Sequence, residues 1–284
     1  MADDLLLDIH RLNVIFTDLT GEFHAVRNIS FSMGREKIGI VGESGSGKTV
    51  IGRAILRLLP SSARISADTL AFNGKNLLNL REKEMRTVRG KGITMVMQDP
   101  RYSLNPVRTV GSQIAESYRA HHRVSRKAAV RKTLEMLEAV HIRNPEQVYG
   151  LYPHEVSGGM GQRIMIAMML IPEPALLIAD EPTSALDVTV QHQVLTILDD
   201  LVTRRGMGMI FISHDLELVS AFCDRVIVLY AGRIMEICDA KNLHHSKHPY
   251  TRGLLNCLPT IIGNAHRLPT LERQDVWLES SFSG

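Results

Sequence analysis

Gly42-Glu43-Ser44-Gly45-Ser46-Gly47-Lys48-Thr49 combines the residue types and the spacing that phosphate chemistry needs. Glycines let the backbone wrap so that successive N–H groups point inward, and a following helix adds its positive N-terminal end. Lys48 can then reach β- and γ-phosphate oxygens as a point charge, and Thr49 offers a hydroxyl to the Mg²⁺ that bridges them. A chance match to the four fixed positions arises in about one chain in a hundred of this length. A second cluster, Asp180-Glu181, supplies two carboxylates. Asp180 suits Mg²⁺ held through water, and Glu181 suits polarisation of an attacking water. Alone the pair reads as a strand-end cap; with a phosphate loop upstream it completes the parts for nucleotide hydrolysis. Ser157-Gly158-Gly159 by itself is an N-cap with a flexible helix start. Its functional reading is a second anion-binding helix terminus, offered to a nucleotide held by another copy of the domain.

These groups have to be delivered by strand ends and helix starts. Lys37 to Val41 predicts the strand into the phosphate loop, and a helix leaves it from about Lys48 to Leu59. Leu5, Leu7, Ile9, then Leu12, Val14 and Phe16 alternate as a strand, as do the residues from Val26 to Met33. Asn73-Gly74 marks a tight hairpin turn. A strand from Gly92 to Met97 stops at Gln98-Asp99-Pro100. From about Arg101 to Glu155 the chain turns polar and helical, with Val130, Leu134, Leu137 and Val140 as the apolar stripe. Ser157 opens a helix through Ile164 to Ile171 that stops before Pro172. Leu176 to Ala179 is a short buried strand delivering Asp180-Glu181. Val194, Leu195, Leu198, Leu201 and Val202 mark a helix ending near Gly206, followed by a strand from Met209 to Ile212 and by His214. This strand–helix–strand alternation implies a parallel sheet. Arg225 to Tyr230 and Arg233 to Ile237 form a hairpin about Ala231-Gly232. Beyond about His248 no period is visible.

The 284 residues allow one large core or two modest ones, here one main domain with an insertion. A net charge of +3, from 33 basic and 30 acidic residues in no long single-sign block, gives no footprint for nucleic acid. Cys223, Cys238 and Cys257 lack zinc or redox spacing and suit a reducing compartment. Asp3, Asp4 and Asp8 precede any apolar run, opposite to a secretory leader. The longest apolar run, Ile164 to Ile171, is far short of the roughly 20 residues that cross a bilayer.

The order of phosphate loop, Gln98, Ser157-Gly158-Gly159, Leu176 to Glu181, Ser184-Ala185-Leu186-Asp187 and His214 resembles the ATP-binding subunits of ABC transporters, from about Leu5 to Leu255. Gln98-Asp99-Pro100 with Ser103-Leu104-Asn105-Pro106, and His248-Pro249-Tyr250-Thr251, look like the dipeptide/oligopeptide/nickel importer branch. The resemblance implies an α/β P-loop NTPase cassette with a RecA-like core, an antiparallel β subdomain and a helical subdomain. It would span residues 1–260, with the helical part inserted at about 101–165 and a tail over 261–284. ATP would be held by Gly42, Glu43, Ser44, Gly45, Ser46, Gly47, Lys48, Thr49 and Val50, and Mg²⁺ by Thr49, Gln98 and Asp180. Glu181, His214 and Gln98 would serve hydrolysis, His214 by clamping the γ-phosphate. Ser157, Gly158 and Gly159 would touch the nucleotide of a partner ATPase subunit, with Asp187 shaping the seam between the two. Phe16 is the candidate for stacking on adenine, with Phe23 its competitor and a core strand position its plain alternative. Implied partners are a second ATPase subunit, two membrane permease subunits, reached around Gln98 to Pro106, and an extracytoplasmic solute-binding protein. The place of work would be the cytoplasmic face of the cell membrane, and the cargo a peptide, nickel or a metal chelate.

Two departures from the branch stand out. Gly161 occupies a position where the branch usually has Arg, which lowers helix propensity by about 1 kcal/mol relative to Ala and suggests unequal sites in a heteromeric pair. Beyond about His248 the chain holds only Cys257, so no iron–sulfur cluster is expected. Two alternatives are a soluble, non-transport ABC ATPase and a binding-only regulator. A single cassette with a modest insertion disfavours the first, and intact Lys48, Asp180, Glu181 and His214 disfavour the second.

Overall fold

The computed structural model describes residues 5–19, 21–99, 103–184 and 186–257. The readings on Asp3, Asp4, Pro100, Ala185 and the 261–284 tail lie outside them. The chain divides into two compact units, residues 1–79 with 210–284 and residues 80–209.

The first unit opens with β1 (Leu7–Asp18) and β2 (Gly21–Met33), an antiparallel pair. The apolar alternation jumps between Ile9 and Leu12, and the strand register shifts at the same place, with Arg11 at φ 50°. A bulge adds one residue to one strand, so Ile9 and Leu12 both stay buried although three apart. The Arg11 N–H donates to Ser30 Oγ at 2.9 Å, so the bulged amide is satisfied. Next come β3 (Lys37–Gly42) and α1 (Lys48–Ile55).

Helix α1 ends at Ile55, short of the expected Leu59. Arg57 takes φ 51°, its N–H donates to Ala54 O at 3.0 Å, and the Leu58 N–H reaches back to Arg53 O at 2.8 Å. This is the closure that glycine usually provides, made here by arginine, so the sequence carried no stop signal. Strands β4 (Ala63–Ser66) and β5 (Thr69–Phe72) both pair with β1, and β6 (Lys75–Asn76) returns along β5. The turn between the last two holds Asn73 at φ 47° and Gly74 at φ 72°, the expected tight hairpin.

The second unit contains α2 (Glu82–Val88), β7 (Ile93–Val96), α3 (Val110–His121), α4 (Arg126–Ala139), α5 (Pro145–Tyr149), α6 (Gly158–Leu170), β8 (Leu176–Asp180) and α7 (Val188–Arg205). Strands β7 and β8 are parallel, from Ile93 opposite Leu176 to Val96 opposite Ala179. The polar helical stretch resolves into α3, α4 and α5. In α4 the buried stripe is Ala129, Thr133, Met136 and Leu137, while Val130 and Leu134 are only half-buried. Thr133 enters the core because its hydroxyl donates to Ala129 O at 2.9 Å.

Strand β9 (Gly208–Ile212) leads into the rest of the first unit: α8 (Leu216–Phe222), β10 (Arg225–Tyr230), β11 (Arg233–Asp239) and α9 (Pro249–Asn256). Strand β10 lies parallel to β3, with Leu229 opposite Gly42, and β11 folds back on β10. Helix α9 occupies the stretch where no period was visible. Eight residues are too few for an apolar period; its fixed points are capping and burial instead. The His248 ring accepts the Tyr250 N–H at 3.2 Å, Pro249 sits in the first turn, and Tyr250 and Thr251 are fully buried. Thr251 Oγ1 donates to Glu236 Oε2 at 2.6 Å, and Ser246 Oγ donates to the same oxygen.

Among the described residues no helix is long and apolar enough to cross a membrane. Cys223 and Cys238 form no disulfide, and burial pushes the Cys223 thiol up and the Cys238 thiol up to about 11.

Gly39 shows how closely α8 sits on β3: a Cβ there would lie 2.1 Å from Val219 Cγ1 and 3.2 Å from Cys223 Sγ. Gly39→Ala should therefore destabilise by about 1–3 kcal/mol through overpacking. Adding Val219→Ala should recover part of that loss, read as a non-additive double-mutant cycle in chemical denaturation.

Candidate functional site

In the first unit the phosphate loop is built on three glycines with left-handed backbones. Gly42 has φ 151°, Gly45 φ 79° and Gly47 φ 100°. At Gly42 a Cβ would meet Leu229 O at 2.2 Å, and at Gly47 it would meet Ala25 O at 2.6 Å. These two positions need glycine for space as well as for conformation. The loop is braced from distant parts of the sequence. The Gly232 N–H, in the β10–β11 turn, donates to Ser46 O at 3.0 Å, and the Glu43 N–H donates to Tyr250 Oη at 3.4 Å.

Lys48 is 6% exposed, and its ammonium donates to Gly42 O and Glu43 O, each at 2.8 Å. Ser46 is buried, and its Oγ has no hydrogen-bond partner, an arrangement that suits a ligand oxygen. Thr49 and Val50 are half-buried on the first turn of α1. His214 is exposed just after β9, where Asp215 caps α8 by accepting the Leu218 N–H at 2.9 Å. Phe16 and Phe23 face each other as cross-strand partners on β1 and β2. Phe16 is half-buried and Phe23 is 60% exposed. The two candidates for adenine thus belong to one patch, and nothing in the fold chooses between them.

In the second unit β8 delivers Asp180 at its last position, 5% exposed. Glu181 follows at φ 46°, a left-handed backbone that is strained for a glutamate and is held by its neighbours. Ser184 donates to Glu181 O twice, from its N–H at 3.3 Å and its Oγ at 3.2 Å. Gln162 Nε2, buried on α6, donates to Pro182 O at 2.5 Å, so the helix of the Ser157-Gly158-Gly159 motif is tied to the carboxylate segment.

Ser157 caps that helix by accepting the Met160 N–H at 3.4 Å. A Cβ at Gly159 would lie 2.8 Å from Val190 Cγ1 on α7, whereas Gly158 faces open space. Asp187 caps α7 by accepting the Val190 N–H at 2.9 Å. Helix α6 runs unbroken through Gly161, whose N–H donates to Ser157 O at 2.8 Å. Gly161 lines a cavity of about 350 Å³ with Leu104, Pro106, Pro153, His154 and Val156, so the missing side chain leaves space rather than a helix break. Gln98 is exposed beyond β7.

Each unit therefore assembles its own half of the expected set. The phosphate loop, His214 and the Phe16/Phe23 pair lie in one; Gln98, Ser157-Gly158-Gly159, Asp180, Glu181 and Asp187 lie in the other. Four supporting residues had not been assigned roles: Gln162, Tyr250, Gly232 and Gln113. Gln113 folds the segment after Gln98, accepting the Asn105 N–H at 2.8 Å and donating to Asn105 O and Arg108 O at 3.0 Å. Tyr250 had a prior signal in its His-Pro-Tyr-Thr run, and Gly232 in the Ala231-Gly232 turn.

The residues fit the expected ligands. The phosphate loop offers N–H groups, a lysine and an unpartnered hydroxyl to phosphate. Thr49 in the first unit, and Asp180 and Gln98 in the second, each carry an oxygen of the hard kind that Mg²⁺ prefers.

Residues 26–184 match the family model described as ABC transporter. The probable peptide ABC transporter ATP-binding protein y4tR of Sinorhizobium fredii is 50% identical, covering 94% of this chain and 81% of that protein. The dipeptide transport ATP-binding protein DppD of Escherichia coli K12 is 43% identical, covering 94% and 82%. The oligopeptide transport ATP-binding protein OppD of Bacillus subtilis is 46% identical, covering 90% and 72%. Among solved structures, the dimeric post-hydrolysis state of the ATP-binding cassette MJ0796 bound to ADP and Pi is similar in fold. Its TM-score is 0.72 at 23% identity, covering 83% of this chain and 99% of that one. Clostridium perfringens cbiO1, part of the transporter complex cbiONQ, has a TM-score of 0.69 at 26% identity, covering 86% and 92%.

Gly47 and Gly45 should respond differently to a methyl group. Gly47→Ala meets a backbone carbonyl and should lower Mg-ATP affinity by tenfold or more, about 1.4 kcal/mol per factor of ten. Gly45→Ala has no atom within 4 Å and should carry only the left-handed penalty of about 1–2 kcal/mol. Calorimetric titration of both variants with Mg-ATP checks this ordering.

Proposed function

We propose, from the premise that this chain belongs to the ABC transporter family of ATP-binding proteins, that it is the ATP-hydrolysing subunit of an importer for peptides or a chemically related small solute. The observation that carries this reading is identity of 43–50% over nine-tenths or more of the chain to proteins named for peptide, dipeptide or oligopeptide transport. Those names favour peptide over the nickel reading of the sequence. They also favour transport over a soluble ATPase.

In this reading Lys48 and the phosphate-loop amides neutralise the β- and γ-phosphates. Ser46 gives its otherwise unpartnered hydroxyl to the same oxygens. Thr49, Asp180 and Gln98 would hold Mg²⁺, which supplies charge neutralisation at the phosphates when bound. Glu181 orients and polarises the attacking water, and its strained backbone, pinned by Ser184, fixes where that carboxylate stands. His214, exposed just after β9, serves the γ-phosphate side, and the adenine ring stacks at the Phe16/Phe23 patch.

Ser157-Gly158-Gly159, with Ser157 and Gly158 exposed at the start of α6, serves the nucleotide of a second ATPase subunit, and Asp187 stands at the seam. This surface has no use in a monomer, so the chain works as half of a pair. The assembly also needs membrane permease subunits and a solute-binding protein outside the membrane, and it places the chain peripherally on the cytoplasmic face.

Glu181→Gln should keep ATP affinity while turnover falls by about 10²–10⁴, the range for loss of a general base. Unchanged steady-state turnover would remove Glu181 from that role. The same variant, unable to discharge ATP, should gain mass on ATP addition in light scattering, alone or with its partner ATPase subunit. A mass independent of ATP in both mixtures would count against the paired site.

A further inference from the structure

The phosphate loop's first peptide unit, between Gly42 and Glu43, is held at both ends. Its carbonyl oxygen accepts the Lys48 ammonium at 2.8 Å, and its N–H donates to Tyr250 Oη at 3.4 Å. A peptide unit is rigid and planar, so an atom that fixes the N–H end also fixes the direction of the carbonyl at the other end. Gly42, at φ 151°, cannot supply that restraint itself, because glycine moves easily among such conformations.

Tyr250 is well placed to restrain the peptide. It is fully buried, so its hydroxyl must find polar partners inside the protein. It takes two, accepting from Glu43 and donating to Leu229 O at 3.4 Å. Leu229 O is the same atom that closes on Gly42, where it leaves no room for a Cβ. The ring packs against Tyr230, with centroids 4.7 Å apart. The helix that carries Tyr250 is fastened independently of the loop, through the His248 cap and the Thr251–Glu236 bond. The tyrosine's position is therefore set by α9, β10 and β11, and the loop conforms to it.

We propose that Tyr250 is a positioning residue for Lys48: it orients the Gly42–Glu43 peptide whose oxygen seats the ammonium, and so tunes the affinity for ATP without touching the nucleotide. This rests on the reading that residues 42–49 hold the phosphates of ATP. Both hydroxyl bonds are long, so the expected effect is a modest one.

Full-length wild type, Tyr250→Phe, Lys48→Ala and the double variant are titrated with Mg-ATP into the millimolar range, with Thr251→Val as control. Tyr250→Phe should raise Kd and KM by about two- to fivefold, within the span of one neutral hydrogen bond, and leave kcat within about twofold. In the Lys48→Ala background the added Tyr250→Phe should change Kd by less than about 1.5-fold, since its route to the nucleotide is gone. Thr251→Val, which loosens the same helix but keeps the Tyr250 hydroxyl on the loop, should lower Tm and shift Kd by less than Tyr250→Phe does. Normal Mg-ATP affinity in Lys48→Ala would overturn the phosphate-loop reading itself. Weak binding in Lys48→Ala would leave that reading standing. In that case three results would each overturn the role of Tyr250: an unchanged Kd in Tyr250→Phe, an equal fold loss in both backgrounds, or an equal loss in Thr251→Val.

Discussion

A loop that turns its amides inward toward phosphate also crowds its own carbonyls. The Lys48 ammonium answers this by donating to Gly42 O and Glu43 O, each at 2.8 Å. Three left-handed glycines in six residues make a conformation that an isolated peptide would not keep, because the entropy lost at each glycine is large. The loop keeps it because atoms from elsewhere close around it: Ala25 O beside Gly47, Leu229 O beside Gly42, the Gly232 N–H on Ser46 O and the Tyr250 hydroxyl on Glu43. Preorganisation of this kind lets fixed dipoles meet a phosphate charge without reorganising at the moment of binding. Much of the first unit acts as its mould: β10 lies in parallel register with β3 so that Leu229 stands opposite Gly42, and α9 supplies the tyrosine.

The second unit solves a comparable problem with carboxylates. Asp180 is almost buried, an expensive place for a charge unless hydrogen bonds or a cation answer it. Glu181 departs from the strand through a left-handed residue, turning its side chain away from the direction that β8 would otherwise impose. Ser184 and Gln162 hold the backbone there. Because Gln162 sits on the helix opened by Ser157, the Ser157-Gly158-Gly159 helix start and the segment carrying Glu181 are parts of one packed body. Gly159 packs just as tightly on Val190 of α7, leaving no room for a methyl group.

Gly161 shows the same economy from the other side. A glycine within a helix lowers its propensity, yet α6 stays hydrogen-bonded through it, because the apolar residues from Ile164 to Ile171 are buried and hold the helix in place. Gly161 is itself buried and lines a cavity shared with Leu104 and Pro106.

The chemistry was legible in the sequence by itself, because phosphate and Mg²⁺ sites demand particular atoms at short, fixed spacings: Gly42 to Thr49, Asp180-Glu181, and the order in which Gln98, Ser157 and His214 follow. So were the strands, since Leu176 to Ala179 and the Asn73-Gly74 turn are local signals, and even the jump from Ile9 to Leu12 wrote the β1 bulge into the alternation. Tertiary structure alone decided what holds those parts still. Arg57 ends α1 with no glycine to announce it, α9 is too short to show a period, and the α4 stripe shifts because Thr133 can bury its hydroxyl against Ala129. Tyr250 reaches a loop 207 residues earlier, and Gln162 ties down Pro182. Such contacts depend on where β10, β11 and α6 come to lie, and proximity in space between residues far apart in the chain leaves no mark in any short stretch of sequence.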